Sequence, residues 1–297
     1  MTQKLKFVAV LNSEKAKGKK LRLFNNIIEM VRKNHDIEVF KTESKDQAMA
    51  LFRELSEKKF DRLIVGGGDG SINFAINEMI SNKLSDKLLA YIPMGTANIL
   101  QVETKIKKET HEIYNLLVSN KYKKINLGKV NDKYFFLMTG LGFDSKIIES
   151  IDENIKKKFG KLIFIYKSLL HFLLLKNKKF KISIDNEEML VDWILCTNSK
   201  YYAGPYSITN DTNIFDKNIV IYIFKDLTRL KILYFIWLVL TKGDLSSAKS
   251  ILKKNLGTLE ITLNNYGHVS HVDGEICDYM KILKICKTDK VIKLLVP

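Results

Sequence analysis

Residues 62–81 read RLIVGGGDGSINFAINEMIS, and the rest of the chain is read outward from them. Leu63, Ile64 and Val65 form a short apolar run suited to a buried parallel strand. Gly66, Gly67 and Gly68 follow at once, then Asp69, Gly70 and Ser71. From Ile72 the period changes: Ile72, Ala75, Ile76, Met79 and Ile80 recur at helical spacing, which predicts a helix over 71–81. Strand, glycine turn and helix in succession make a cradle for phosphate. Glycine permits positive φ and close backbone approach, and the first N–H groups of a helix are unpaired. No Lys follows the glycines as in a Walker A loop, and the spacing is not G-x-G-x-x-G. An Asp inside such a turn repels phosphate unless a cation or a polarised hydroxyl compensates. Asp69 is therefore expected to meet Mg²⁺ or a reacting hydroxyl. The same residues would also make a tight turn with Asp69 as a helix cap.

Upstream and downstream, the chain alternates. Strands are expected at 6–11, 36–41, 62–65 and 89–92, and helices at 21–33, 46–57, 71–81, 98–103 and 107–120. That alternation, with short connections, predicts an open α/β sheet covered by helices on both faces. A second loop, Pro93-Met94-Gly95-Thr96-Ala97-Asn98, also follows a strand directly, which is where open sheets bind ligands. Gly95 supplies backbone freedom, Thr96 can donate to a phosphate or ribose oxygen, and Asn98 can cap the next helix or bind nucleotide. Asn12, at the end of the first strand, could reach phosphate beside Lys15, Lys17, Lys19 or Lys20. A solvated lysine turn fits those residues nearly as well.

Beyond residue 121 the pattern becomes strand-rich, with a long apolar helix expected over 157–176 and another around 228–241. The expected division is 1–125 as a nucleotide-binding α/β domain, 126–288 as a β-rich substrate domain, and 289–297 as a tail returning to the first. Gly140–Asp144 offers Asp144 as a metal ligand or acceptor-orienting group, although a glycine turn with an Asx cap suits it too. Asp273-Gly274-Glu275 places two carboxylates two residues apart, of which Glu275 is the better general base.

Composition narrows the partners. The 297 residues carry 49 Lys+Arg against 33 Asp+Glu, a formal charge of +16, which suits an anionic partner such as lipid headgroups or a phosphorylated substrate. Nucleic acid is not expected, because aromatics such as Phe135, Phe136, Tyr201 and Tyr202 are clustered rather than interleaved with basic residues. Cys196, Cys277 and Cys286 have no C-x-x-C spacing and read as reduced, buried and cytosolic. His268 and His271 lack a convincing zinc spacing, and no G-x-S-x-G elbow supports a hydrolase. MTQKLKFVAVLN reads as a first strand rather than a signal peptide, and no stretch is apolar enough to span a bilayer. The helix over 159–175, flanked by lysines, reads as core or as a membrane-contact element.

Taken together, these segments resemble the diacylglycerol kinase catalytic-domain family, in particular its soluble bacterial lipid kinases. GGGDGS at 66–71 resembles the family's GGDG-[ST] signature, 93–98 its P-x-GT-x-N segment, 142–144 its GFD and 273–275 its DGE. Asn12 matches the early Asn of the family. The resemblance implies a Rossmann-like N-terminal domain related to NAD kinase and phosphofructokinase, and a C-terminal β-sandwich. It also implies ATP and Mg²⁺ at Asn12, Gly66, Gly67, Gly68, Gly70, Ser71, Gly95, Thr96 and Asn98, with Asp69, Asp144 and Glu275 catalytic. Asp216 corresponds to a structural Mg²⁺ ligand of some bacterial members, although Asn210, Thr212 and Lys217 depart from the pattern there. The implied reaction is phosphorylation of diacylglycerol to phosphatidate at an anionic membrane surface, by a cytoplasmic, peripherally bound protein, with homodimer formation left open. Sphingosine, ceramide, monoacylglycerol and phosphatidylglycerol are the alternative acceptors, and a non-catalytic lipid- or nucleotide-binding regulator is the alternative role.

Overall fold

The computed structural model describes residues 4–13, 16–150, 172, 179–184, 187–256, 258–262, 269–277 and 282–297. The helix expected over 157–176 lies outside them except for Phe172, as do Lys15 and His268. Two compact units emerge, Met1–Ile125 with Lys290–Pro297, and Asn126–Asp289.

The first unit runs β1 (Lys6–Asn12), α1 (Lys19–Arg32), β2 (Asp36–Thr42), α2 (Lys45–Leu55), β3 (Arg62–Gly67), α3 (Asp69–Ser81), β4 (Leu88–Pro93), α4 (Ile99–Thr104) and α5 (Thr110–Val118). Strands β2-β1-β3-β4 lie side by side, all parallel. Strands buried on both faces need unbroken apolar runs, and the residues of β3 and the FVAVL core of β1 are buried throughout. The helices bury one stripe each. Phe24, Ile27, Ile28 and Val31 of α1, and Ala48, Leu51, Phe52 and Leu55 of α2, follow the i, i+3, i+4, i+7 spacing. Right-handed crossovers moving first one way and then the other along the sheet put α1 and α2 on opposite faces. In keeping with this, α1 packs on α5 and α2 on α3.

Arg62 is a charged side chain within this largely apolar interior. It is 2% exposed, yet its Nη1 donates to the carbonyls of Leu117 and Ser119 (2.8 Å for Ser119) and its Nη2 to Asn120 Oδ1 at 2.7 Å. Helix α5 has no basic residue in its last turn, so a strand residue supplies the positive charge that its carboxyl end favours. Burial lowers the Arg62 pKa without threatening its charge. Arg62→Leu should destabilise the unit by about 2–4 kcal/mol, since buried carbonyls lose their donors. A urea midpoint unchanged from wild type would contradict this.

The second unit is richer in strand. It holds β5 (Tyr122–Val130), which begins in the first unit, β6 (Lys133–Phe135), β7 (Met138–Leu141), α6 (Phe143–Glu149), β8 (Phe180–Ile184), β9 (Glu187–Val191) and β10 (Trp193–Thr197). There follow β11 (Tyr201–Tyr202), β12 (Tyr206–Ser207), β13 (Val220–Phe224), α7 (Arg229–Thr241), β14 (Ile251–Asn255), β15 (Thr258–Thr262), β16 (Ser270–Val272), β17 (Glu275–Cys277) and β18 (Ile282–Leu295). One antiparallel sheet has the order β14-β13-β10-β7-β16-β17. Strand β15 lies between β8 and β18, antiparallel to both. Alternate residues Phe180, Ile182 and Ile184 of β8 join Ile194 and Cys196 of β10 in one apolar cluster. From Lys290 onward β18 belongs to the first unit, where Lys293 and Leu294 pair in parallel with Leu88 and Leu89 of β4. The fold is thus an α/β N-terminal part with a mixed sheet, followed by a β-rich part. Cys196 and Cys277 are buried and Cys286 half-buried, all as free thiols.

Candidate active site

The parallel register sets the first group of residues at one level. Leu11 lies opposite Gly66, Gly66 opposite Ile92, and Gly67 opposite Pro93, so Asn12 and both glycine loops leave the sheet at the same carboxyl edge. Asn12 is half-buried at the end of β1, across from Thr42. Gly66 and Gly67 end β3, Gly68 caps α3, and Gly70 and Ser71 lie in its first turn, two residues earlier than the periodicity indicates. A helix of 13 residues there directs its N-terminal partial charge at the loop mouth.

Of the two properties expected to call for glycine, positive φ is not used. Positive φ is absent at residues 66–68, 70 and 95. What the loops require is room for each other: a Cβ on Gly95 would sit 2.6 Å from Gly68 Cα, and one on Gly68 3.0 Å from Gly95 Cα. Met94 N–H also donates to the Gly67 carbonyl at 2.7 Å. The two loops are backbone against backbone.

Asp69 fastens them. Its Oδ2 accepts from Ile99 N–H at 2.9 Å and its Oδ1 from Leu100 N–H at 3.1 Å. It therefore caps α4, the helix after the second loop, rather than its own. Asn98 stands at the N-cap position with φ 48° but gives no side-chain cap. Its side chain, 2% exposed, turns inward: Tyr91 OH donates to Asn98 Oδ1 at 2.9 Å, and Asn98 Nδ2 donates to the Gly95 carbonyl at 3.0 Å. Thr96 is left exposed at the loop tip. Part of Asp69 reaches solvent, yet loss of water around its carboxyl raises its pKa against the lowering by the α4 N–H groups. Burial and the nearby Asp69 charge push the Tyr91 phenol up as well, so that it stays a donor.

In the second unit Gly142 has φ 115°, and a Cβ on it would meet the Asp192 carbonyl at 2.5 Å. That turn starts α6 and carries Asp144 into the interior, 1% exposed. Asp144 Oδ2 lies 2.9 Å from Nε2 of His271, also 1% exposed, and its Oδ1 accepts from Ser145 N–H at 2.7 Å. Gly274 N–H donates to His271 Nδ1 at 3.3 Å, so a neutral ring carries its proton on Nε2 and donates it to Asp144. His271 has no signal of its own in the sequence beyond its place in HVDGE, because its partner lies 127 residues away. His271→Leu should leave the Asp144 charge buried without its imidazole and cost about 3–5 kcal/mol. Adding Asp144→Asn should recover much of that in urea melts. A double variant no more stable than the single one would contradict the pairing.

Asp273, with φ 48°, accepts from Phe136 N–H at 3.0 Å, Leu137 N–H at 2.9 Å and Met138 N–H at 2.8 Å. Its carboxylate belongs to the turn before β7. Glu275 opens β17 opposite Val272, half-buried, with α6 packed alongside that strand. DGE thus sets one carboxylate into the scaffold and presents the other from a strand start.

Around Asp216, which the resemblance matches to a structural Mg²⁺ ligand, side-chain and backbone amides engage nearby oxygens. Asn213 Nδ2 donates to Asp216 Oδ2 at 2.6 Å, Asn126 N–H to the Ile214 carbonyl at 3.1 Å, and Asn126 Nδ2 to the Phe215 carbonyl at 2.9 Å. Among the described residues no group of three or more His, Cys, Asp or Glu side chains is placed to hold a metal.

Residues 6–130 match the diacylglycerol kinase catalytic domain family. An Alcanivorax borkumensis protein named "Probable lipid kinase YegS-like" is 27% identical over 174 residues, covering 59% of this chain. The chain thus spans 57% of that relative's length. A Staphylococcus haemolyticus protein named "Diacylglycerol kinase" is 21% identical over 254 residues, covering 84% of this chain and 75% of its own. In fold, the chain superposes on the crystal structure of a diacylglycerol kinase from Bacillus anthracis with a TM-score of 0.77 at 20% identity, covering 100% and 99% of the two chains. Over residues 6–130, which hold both glycine loops, the chain is therefore similar to the diacylglycerol kinase catalytic domain, and its fold is that of the Bacillus anthracis protein.

Proposed function

We propose that the chain is an ATP-dependent lipid kinase that transfers the γ-phosphoryl group to the hydroxyl of 1,2-diacylglycerol, giving phosphatidate. The observation that carries this reading is the pair of glycine loops held together by Asp69 at the carboxyl edge of the parallel strands. First-turn N–H groups of α3 and the exposed Thr96 supply donors for the β- and γ-phosphates, with Asn12 at the same edge. Asp69 acts by holding the second loop in place, since both its oxygens already accept backbone N–H groups. Mg²⁺ bound with ATP would neutralise charge developing on the phosphoryl oxygens. Glu275 takes the proton of the acceptor hydroxyl as its oxygen bonds to phosphorus, and the Asp144–His271 pair fixes the strand pair that carries Glu275.

Finer aspects of the reading follow from the family. The first unit corresponds to a Rossmann-like nucleotide domain akin to NAD kinase and phosphofructokinase, and the second to a β-sandwich that presents lipid. The lipid is met at an anionic membrane surface by a cytoplasmic protein that binds peripherally, and nucleic acid is not a partner. The excess of basic residues supports the anionic surface. Among the described residues no helix is long and apolar enough to cross a membrane. Incubating the protein with γ-labelled ATP, Mg²⁺ and mixed micelles of diacylglycerol, monoacylglycerol, sphingosine, ceramide and phosphatidylglycerol tests the reading. Label on diacylglycerol is expected. Label on another alcohol would reassign the acceptor, and label on no lipid would refute the kinase.

A further inference from the structure

Helix α7, RLKILYFIWLVLT, is apolar on both faces. Ile232, Phe235 and Leu238 are buried, with Phe235 edge-on to Phe224 at 5.3 Å. The opposite side holds Leu230, Leu233, Tyr234, Ile236, Trp237 and Leu240, and all six are exposed, Leu230 at 79%, Leu240 at 63% and Trp237 at 50%. An apolar helix face left in water is a feature that asks for an occupant. At 13 residues, or about 20 Å, α7 is too short to span a bilayer but long enough to lie in its interface.

We propose that this face docks the protein on an anionic lipid bilayer, with α7 lying flat in the headgroup region. Charge at its rim selects that occupant over an apolar protein surface. The helix contains no Asp or Glu, Arg229 and Lys231 lie in its first turn, and Lys225 and Lys242 flank it. Among the described residues the acidic groups near its ends are engaged: Asp226 pairs with Lys179 at 2.6 Å, Asp192 accepts from Leu227 N–H at 3.0 Å, and Asp244 accepts from Ser246 N–H at 2.8 Å. Lys231 Nζ donates to the carbonyls of Lys225 and Asp226, which keeps its charge at the amino end. At the other end Lys242 lies 5.9 Å from the Trp237 ring, itself stacked on Tyr234. Aromatic rings with one polar end and adjacent cations are suited to the bilayer interface. Thr228 caps the helix by accepting from Lys231 N–H at 3.2 Å, so the face is presented on a closed helix end. The inference rests on the lipid-kinase reading only for its purpose, since docking would bring the second unit to a substrate that does not leave the membrane.

The test separates docking from catalysis. Binding to phosphatidylglycerol–phosphatidylcholine vesicles is measured by sedimentation without ATP, for wild type and for Leu233→Gln/Trp237→Gln/Leu240→Gln. The same two proteins are assayed for transfer to a dispersed short-chain diacylglycerol. Because the replaced side chains face solvent, an unchanged thermal midpoint verifies folding. Expected is wild-type binding that weakens in high salt and on pure phosphatidylcholine, a loss of roughly a hundredfold in the variant, and equal transfer to the short-chain lipid. Equal vesicle binding by variant and wild type would overturn the proposal. So would a wild type that ignores vesicles but forms dimers that the variant does not. Absent transfer by wild type would refute the kinase reading, while vesicle binding lost only in the variant would still uphold the docking face.

Discussion

Asp69→Ala is expected to lower phosphoryl transfer by roughly a thousandfold or more and to loosen the second glycine loop. The substitution removes the acceptor for Ile99 N–H and Leu100 N–H and leaves the start of α4 uncapped. Loss of a cap of this kind costs about 1–2 kcal/mol. A stability change therefore accompanies the activity loss, and faster hydrogen exchange should be confined to residues 94–100. Asp69→Asn separates the two effects. Its single carbonyl oxygen can hold one of the two N–H groups, while its amide opposes the other, so activity should fall while the fold persists. The pH dependence has a definite sign. Burial raises the Asp69 pKa in the folded state, so the neutral carboxyl is the form that folding favours. Its contribution is fully present below the unfolded carboxylate value and is lost as pH rises through the higher folded value. Wild type should thus lose stability relative to Asp69→Asn on going from acid toward neutral pH. A difference that grows with pH in the opposite sense would contradict the burial argument.

Glu275→Gln carries the second large effect. A glutamine keeps the size of the side chain at the start of β17 but cannot accept a proton, so transfer to a lipid hydroxyl should drop by roughly a thousandfold or more. Nucleotide affinity and urea midpoint should remain as in wild type, because Glu275 is half-buried at a strand start and not part of the core. Wild-type turnover in a folded Glu275→Gln protein would remove Glu275 from the base role. Asp273→Asn makes the contrast. That carboxylate holds three backbone N–H groups of the turn at 136–138, so its loss should appear first in stability.

Local patterns made the first part of the fold legible. Leu63–Val65 followed by glycines, and stripes such as Phe24–Ile27–Ile28–Val31, report burial through neighbours close in sequence. The partners of the polar groups were not legible, because they are distant. Asp69 meets residues 30 and 31 positions away, His271 meets Asp144 across 127, and Arg62 reaches a helix end more than 50 residues on. Which property of glycine the loops use was not legible either, because close contact between Gly68 and Gly95 and positive φ call for the same residue type. Helix α7 shows a further limit. A helix apolar all round reads as core, and nothing in its periodicity reveals that one face is left to solvent.

The two glycine loops are proposed as the seat of a triphosphate. A crystal structure of the protein with Mg²⁺ and a non-hydrolysable ATP analogue measures this directly. The β- and γ-phosphates should lie against the backbone N–H groups of 68–71 and beside Thr96, with Asp69 still bonded to Ile99 and Leu100. A triphosphate seated anywhere else on the chain, with those loops untouched, would contradict it.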